Sequence, residues 1–584
     1  VLRGRQQDRA VTAGLARSSP SGHARVTPEE FTAGMDSFRS PARRTLLKGA
    51  AAASLAAAVP AITPRAASAA PARPAPTRPG AASLTLPSGL QTGDVTMDSA
   101  VLWSRASGEG RLHAVLHALD REGRRLTSSS KGRGKARGRD GEPLVLRGPW
   151  ATERTDFTAR ISATDLPSDT KFEVELFFED ENGKRGEVGT GRFGTAPGHR
   201  SDGAQSFVWT ADTEGQGYGI NPDVGGMFGY EAMRAVEPDF FLHAGDTIYA
   251  DGPIEESIEE PDGTIWRNLV TEEVAKVAET LREFRGRHSY NLRDVNVRAL
   301  YAEVPVIATW DDHETTNNWW PGEVLEDDRY SVVDVDTLAA RGRRAWQEYQ
   351  PIADVRSLTP GTGFEPERIY RKISRGPALD VFVLDMRTHK GENTDGKEQR
   401  ATSMLGEEQL QWLLKGLRRS QATWKVILAD LPLGIVVPDG EGQESIANAE
   451  DGAPLGRELE LARLLSGIKS QRTRNVVFLT GDVHYCAAHH YSPDRAAFTD
   501  FDPFWEFVAG PINAGSFGPN EMDGTFGPEV DFQKAGPAMG SPRDGKGQFF
   551  GRVEIAPDGE EFTVELIDAT GEVQYTRTLT PQPR

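Results

Sequence analysis

Residues 239–251 read DFFLHAGDTIYAD: a short apolar run, a glycine-aspartate step and then a tyrosine. A run of β-branched or aromatic residues closed by glycine reads as a buried strand. The glycine lets the chain turn tightly, so Asp246 stands at the strand's carboxyl end. The same device recurs along the chain. SFVWTAD ends at Asp212, VPVIATWDDHE runs into Asp311 to Glu314, LDVFVLD ends at Asp385, and NVVFLTGDVH ends at Asp482 and His484. In layered α/β folds, sites collect just beyond the carboxyl ends of such strands. Carboxylates gathered there repel one another and lose hydration, at a cost of several kcal/mol, about the penalty for buried charge. A divalent or trivalent cation removes that cost, so the pattern points to a metal site.

The residues beside these acids are also ligand types. Asp246 can bridge two cations through its two oxygens, as hard cations prefer. Tyr249 can swing back to the same point, and a phenolate suits a ferric ion. WDDHETTNN (310–318) adds Asp312, His313 and Asn317. In TGDVHYCAAHHY (480–491), Asp482 and His484 alternate by two and are expected on one face of a strand. Cys486 comes next on that face and reads as a small buried hydrophobe. His489 and His490 read as surface residues of the same strand.

The chain has 584 residues, 38% of them hydrophobic, a net charge of −19 and one cysteine. That length implies two folded units with tails. The acidic balance argues against nucleic acid or an anionic membrane as the main partner. An anionic substrate must then be drawn in locally, by metal ions and arginine. The single cysteine excludes an internal disulfide framework.

Residues 1–34 precede Met35 and read as an unstructured extension. Within 35–69, SPARRTLLKG is followed by AAAASLAAAVPAI, so Arg43, Arg44, a leucine pair and Lys48 precede a weakly apolar stretch. That order is that of a twin-arginine signal peptide with a cleavage site at Ala67-Ser68-Ala69. The stretch is too short and alanine-rich for a stable membrane span. The expected partner is the twin-arginine translocase, and the expected location is secreted or in the cell envelope. Residues 70–83 form a Pro/Ala linker.

From 84 to 197 the signal is period-two alternation without chemistry: SAVLWSRA, RLHAVLHAL, DFTARISA, KFEVELFFED and GEVGTGRFGTAP. Short strands with polar turns predict a β-sandwich of immunoglobulin or fibronectin type. SSSKGRGKARGRDGE (128–142) inserts into it as a basic, solvated loop. From 201 to 582, strands alternate with helical stretches at 226–236, 271–288, 336–350 and 406–420, and the end is β-rich. The expectation is a multidomain chain with an α/β core, helices on the outer faces of its sheets and the last strands completing one sheet.

At these residues the chain resembles the alkaline phosphatase D (PhoD) family of metallophosphoesterases. The resemblance runs through GLQTGDVTMDSAVLWSRA (89–106), HAGDTIYAD (243–251), WDDHETTNNWW (310–320), LDMR (384–387) and TGDVH (480–484). It implies an immunoglobulin-like N-terminal domain, a four-layer αββα catalytic core and secreted hydrolysis of small phosphate esters. It also implies one Fe3+ with Ca2+ ions, the ferric ligands falling on Asp246, Tyr249 and Asp482. Some family members carry a cysteine at the end of the first core strand, where this chain has Asp212 in TADTE. A carboxylate is harder than a thiolate and favours Fe3+, Mn2+, Mg2+ or Ca2+, with Zn2+ as a further alternative. The expected metal ligands are thus Asp212, Asp246, Tyr249, Asp312, Asn317, Asp482 and His484.

Two or more cations bridged by Asp246 would acidify a water and cancel phosphoryl charge. Asn317 would ligate metal or hold a phosphate oxygen, and His313 would protonate the leaving oxygen. Arg387 in LDMRTHK reads either as a bidentate phosphate clamp or as a partner of Asp385. Two other functions fit the pattern. A phospholipase-D-like phosphodiesterase would share the metal motifs, with Trp319 and Trp320 of NNWWPGE receiving an acyl or nucleoside group or serving as lid packing. A non-enzymatic secreted protein would only bind metal or surface ligands.

Overall fold

The computed structural model describes residues 83–126, 142–260, 262–353, 368–537 and 540–582. The twin-arginine segment, the preceding extension, nearly all of the linker and nearly all of the basic insertion lie outside the described residues.

Two large sheets face each other. One has nine strands, and its centre is the parallel trio Gln205–Thr210, Phe240–His243 and Val306–Ala308. The other has seven, with Leu379–Val383, Trp424–Leu428, Val476–Thr480 and Phe504–Val508 running parallel at its centre. Alternate residues of one strand enter different cores, as a period of two demands. Phe240 and Leu242 meet Val381, Val426 and Leu479 of the facing sheet. Phe241 points the other way, toward Tyr230, Leu300 and Trp346 of the helices Phe228–Ala235, Val295–Glu303 and Val335–Tyr349. The helices Gly406–Arg419 and Glu458–Ser470 cover the outer face of the seven-stranded sheet on Phe382, Ile427 and Phe478. Burial on both faces explains why these strands read as continuous apolar runs.

The helices form where spacing and termini agree. In Gly406–Arg419 the buried leucines are Leu410, Leu413, Leu414 and Leu417, with acids in the first turn and arginines in the last. That arrangement gives one apolar stripe and satisfies the macrodipole. Each buried leucine contributes about 1.5–3 kcal/mol. Thr280 and Glu283 make a reciprocal capping box for Leu281–Asn291. Sequence alternation did not mark the helices Val295–Glu303 and Glu458–Ser470, nor the edge strand Leu144–Ala151.

The five alternating N-terminal runs all form strands, but they do not close on themselves. The strands Leu144–Ala151, Gly110–Ala118, Lys171–Glu179 and Arg185–Gly194 make a four-stranded antiparallel sheet. The facing strands Leu90–Gly93, Ala100–Arg105 and Thr158–Ala163 are the outer part of the nine-stranded sheet. The junction is the parallel pair Gly93 and Val306. A Cβ at Gly93 would lie 2.4 Å from the Pro351 carbonyl and 2.7 Å from that of Val306, so only glycine lets the backbones approach. A buried bidentate pair, Arg371 to Asp94 at 2.8 Å, and the Trp103 indole on the Glu348 carbonyl at 2.7 Å lock the same seam. The two folded regions expected from sequence therefore share a sheet. The C-terminal strands Phe549–Ile555, Phe562–Asp568 and Val573–Leu579 complete it beyond Gln205–Thr210. Among the described residues no helix is long and apolar enough to cross a membrane.

Candidate metal centre

The parallel strands of both sheets deliver their carboxyl ends to one place. Asp212, Asp246, Asp311, Asp312, Asp430 and Asp482 each follow such a strand within a few residues. Several of these positions have left-handed backbone: Asp212 at φ 63°, Asp246 at 51°, Asp482 at 71° and His484 at 60°. Aspartate tolerates that region better than most residues, and such conformations cluster at functional sites. Gly245 makes the close approach behind Asp246, since a Cβ there would stand 2.5 Å from that of Asp311. Asp482 and His484 do reach the same place, but not by strand alternation. The strand ends at Thr480, the next begins at Cys486, and the two ligand-type residues sit in the left-handed turn between.

Two compact groups of ligand atoms result, Asp246 with Asp312 and His313, and Asp311 with Asp312 and Asp482, each within 4.8 Å. The residue common to both is Asp312, where sequence reasoning assigned the bridging place to Asp246. On the other side, the Tyr249 hydroxyl lies 2.8 Å from His484 Nε2. That nitrogen is 3.7 Å from Asp212 Oδ1. The Tyr249 and His313 rings stack with centroids 4.0 Å apart. Asn317 stands at the half-buried rim, its backbone N–H donating to Asp251 Oδ2 at 3.0 Å. His313 and Asp482 keep side-chain exposures of 11% and 13%, which marks the open side of the cluster.

A ring of residues to which the sequence assigned no role holds these groups. His484 Nδ1 meets the Gly515 carbonyl, which fixes the proton there and leaves Nε2 as a lone-pair donor. Asp251 takes His313 Nδ1 at 2.7 Å and so turns Nε2 away from itself. Glu314 accepts from the backbone of Asp246, Thr247 and Asp311 and ties two loops together. Asp430 carried a visible signal: WKVILAD ends on an acid as the other runs do. Asp251 and Glu444 had none, because each arrives from a loop. Asp385, the end of one apolar run, stays out of the cluster and accepts from Trp310 Nε1 and Thr388.

Electrostatics decide what the cluster needs. Burial, reinforced by the neighbouring Asp311 charge, pushes the Asp212, Asp246, Asp430 and Asp482 carboxyls well above the usual range. Asp311 is pushed up to about 6 and Glu314 to about 7, both chiefly by burial. Burial lowers His484 to about 4, so its ring is neutral. Burial opposes charge on His313 as well, but Asp251 and Asp312 outweigh it and raise the group to about 10. Both Asp212 oxygens, Asp311 Oδ2, Asp312 Oδ1 and Asp430 Oδ1 are buried without a hydrogen-bond partner. Oxygen-rich, orphaned and mutually repelling, these atoms fit hard cations.

The structure corrects the readings of Arg387 and His489 and leaves Trp319 and Cys486 in one of the places expected for each. The Arg387 guanidinium is fully buried and divided among Asp311, Asp430 at 3.1 Å and Glu444, so it is neither an open phosphate clamp nor a partner of the Asp385 side chain. Only its backbone N–H reaches Asp385, at 3.2 Å. His489 is fully buried on Glu506 at 3.0 Å, not on the surface, while His490 is half-buried. Trp319 packs edge-on against Trp310 and is 1% exposed, so only Trp320 reaches the surface. Cys486 lies in the core between the two large sheets, as a small apolar residue would.

Comparison with known proteins gives a consistent placement. The PhoD-like phosphatase family matches residues 207–566, and its N-terminal domain family matches residues 69–197. Alkaline phosphatase D of Bacillus subtilis (strain 168) is 30% identical over 309 residues, 51% of this chain and 50% of that protein, so the alignment spans about half of each. The solved structure of PhoD superposes with a TM-score of 0.61 at 20% identity, covering 86% of this chain and 94% of that one. That likeness shows the fold.

Proposed function

Because this chain belongs to the PhoD-like phosphatase family, we propose that it is a metal-dependent hydrolase of phosphoric esters. The observation that carries the reading is Asp312, which lies within 4.8 Å of the Asp246 carboxylate on one side and of the Asp311 and Asp482 carboxylates on the other, so that two cations would share it. Asp212, Asp246, Tyr249, Asp312, Asp482 and His484 would hold two or more cations. Fe3+ with Ca2+ is the favoured set, since a carboxylate at position 212 and a phenol at 249 suit hard ions. When bound, such cations neutralise the transferring phosphoryl group and supply an acidified water.

The chain's own residues do the rest. Asp251 holds the His313 ring by Nδ1, so Nε2 is the atom that carries a proton to the leaving oxygen at the open side. Asp312 accepts from the Asn318 N–H at 2.5 Å, which orients the shared carboxylate. Asn317 presents its amide at the rim, where a phosphate oxygen would arrive. Arg387 acts as a positioning residue: it fixes Asp311 and Asp430 and lies 3.7–3.8 Å from Asp482 and Asp312. The layers described above fit an αββα catalytic core preceded by an immunoglobulin-like sandwich whose strands Leu90–Gly93, Ala100–Arg105 and Thr158–Ala163 extend one of its sheets. Export by the twin-arginine route would let metal load before crossing, as a chain without a disulfide framework permits.

Phosphomonoesters are the favoured substrates, with diesters, including phospholipids, as the second reading because Trp320, in the same loop as Asn317, is only half-buried. Turnover of p-nitrophenyl phosphate, bis-p-nitrophenyl phosphate and a phospholipid should be measured alongside the metal content of the purified protein. Hydrolysis of the monoester with two or more tightly bound metals per chain is expected. No hydrolysis of any of the three by metal-replete protein would refute the proposal.

A further inference from the structure

Asn318 has left-handed backbone, at φ 56°, and side chains take both of its backbone polar groups. Its N–H donates to Asp312 Oδ2 at 2.5 Å. Its carbonyl accepts from Asn393 Nδ2 at 2.7 Å and from Lys390 Nζ at 3.3 Å. One bond fixes the chain before the Cα and the others fix it after, so together they hold a conformation that non-glycine residues seldom adopt. Both donors are anchored in turn. Lys390 is 3% exposed, and its ammonium also meets Glu444 Oε1 at 2.6 Å. Asn393 Oδ1 accepts from the Arg457 guanidinium at 2.7 Å, and its Nδ2 also donates to Asp439 Oδ2 at 2.7 Å. Arg457 donates as well to the carbonyls of Gly391 at 2.8 Å, Glu392 at 3.0 Å, Gln443 at 2.9 Å, Glu444 at 2.8 Å and Ser445 at 3.0 Å. It thereby ties the loop 391–393 to the loop 443–445.

Packing alone does not account for Lys390. A desolvated ammonium is costly unless a carboxylate is free to pair with it, and Glu444 Oε1 already takes Arg387 Nη1. An apolar stem of the same length would fill the space without that cost. What the ammonium adds is a charged donor on the Asn318 carbonyl. We propose that Lys390 and Asn393 are positioning residues of the metal centre. They hold the Asn318 turn, whose N–H orients the Asp312 carboxylate that two cations would share and whose preceding residue, Asn317, stands at the rim. Both act through Asn318. The inference rests on the two-cation reading of the site.

Calorimetric titration of the full chain with Ca2+, after dialysis against a calcium chelator, tests this without recourse to turnover. The native protein should bind Ca2+ until two or more cations are held per chain, counting the metal retained through dialysis. Asn393→Ala, which changes no charge, should weaken Ca2+ binding about tenfold, the low end of what losing an outer-shell partner costs a metal site. Lys390→Met adds a test of sign. Deleting a positive charge near cations should by Coulomb's law alone tighten their binding, so weaker binding in this variant reports lost positioning. Far-ultraviolet circular dichroism and thermal midpoints establish that the variants are folded, and Asn393→Ala serves if Lys390→Met is not. In kinetics, p-nitrophenyl phosphate hydrolysis should need about tenfold more Ca2+ for half-activation in both variants and recover at saturation. Unchanged Ca2+ affinity in Asn393→Ala, with unchanged or tighter binding in Lys390→Met, would overturn the proposal and leave the two-cation reading standing. A native protein that binds fewer than two cations would overturn both.

Discussion

The two ends of the seven-stranded sheet carry opposite charge and treat it differently. At the carboxyl ends, Asp430 and Asp482 follow Trp424–Leu428 and Val476–Thr480 into a cluster of buried acids. At the amino ends, Arg418, Lys425, Arg472 and Arg474 line an open cleft of about 500 Å3 with no acid among its lining residues. Arg418 and Arg472 are exposed, Arg474 is half-buried and Lys425 is buried; Arg418 and Arg472 come near the ends of Gly406–Arg419 and Glu458–Ser470, where positive charge offsets the helix carbonyls. Arg474 has Asp502 at 3.1 Å besides. The acids have lost their water and face one another. Charge at the solvated end is cheap and replaceable; charge at the desolvated end demands a counter-ion and is where chemistry can be done.

Substitution should expose that asymmetry most at the metal centre. Asp246→Asn or Asp482→Asn should strip metal and remove several kcal/mol of transition-state stabilisation, roughly 10^3-fold in turnover. Metal analysis and kinetics check this, with far-ultraviolet circular dichroism to show that the fold survives. Full activity with metal retained would break the assignment. Arg387→Met comes next. It leaves Asp311, Asp430 and Glu444 facing one another in a dry interior, and should cost about 3–5 kcal/mol of stability by denaturant titration.

A buried neutral group away from the metal gives a pH test. Burial lowers His288 to about 3, and its ring stacks on Tyr349 at 5.4 Å. Above pH 6.5 the imidazole is neutral whether the chain is folded or not, and its contribution is fully present. As pH falls toward 3, the unfolded chain takes up a proton that the folded one refuses, so stability drops by up to about 1.4 kcal/mol per pH unit. The urea midpoint of His288→Gln should fall less steeply between pH 6.5 and 4 than that of the native protein. Equal slopes would show that the ring is not held neutral.

Cys486→Ala, in the dry core between the sheets, should cost about 1 kcal/mol and leave metal content and turnover unchanged. Arg418→Ala, at the solvated end, should shift stability by no more than about 0.5 kcal/mol. A loss of 2 kcal/mol or more from Arg418→Ala would mean that charge in the amino-terminal cleft is held as tightly as charge in the carboxyl-terminal cluster.

The comparison also separates what was legible in the sequence from what was not. Strand ends were readable because burial on both faces makes a run such as VFVLD or VVFLTGD apolar throughout, and the acid that stops it stands out. By the same rule Asp430 was in plain view in ILAD. Asp251 and Glu444 were not, since a loop residue has no periodicity to mark it. Arg387 looked like an exposed clamp because its position at a strand end is local information, whereas its three carboxylate partners come from Asp311, Asp430 and Glu444.

By itself the sequence determined that acids, a tyrosine and histidines would collect at the carboxyl ends of buried strands, because hydrophobic patterning is a property of neighbours along the chain. It also determined the alternating strands between 84 and 197. Tertiary structure alone decided that this region lends strands to the nine-stranded sheet through Gly93 and Val306, that Asp312 stands between two ligand groups, and that His484 arrives by a left-handed turn. Those outcomes depend on which distant backbones meet. That is set by close packing and by the balance of buried charge, neither of which is written in any single stretch of residues.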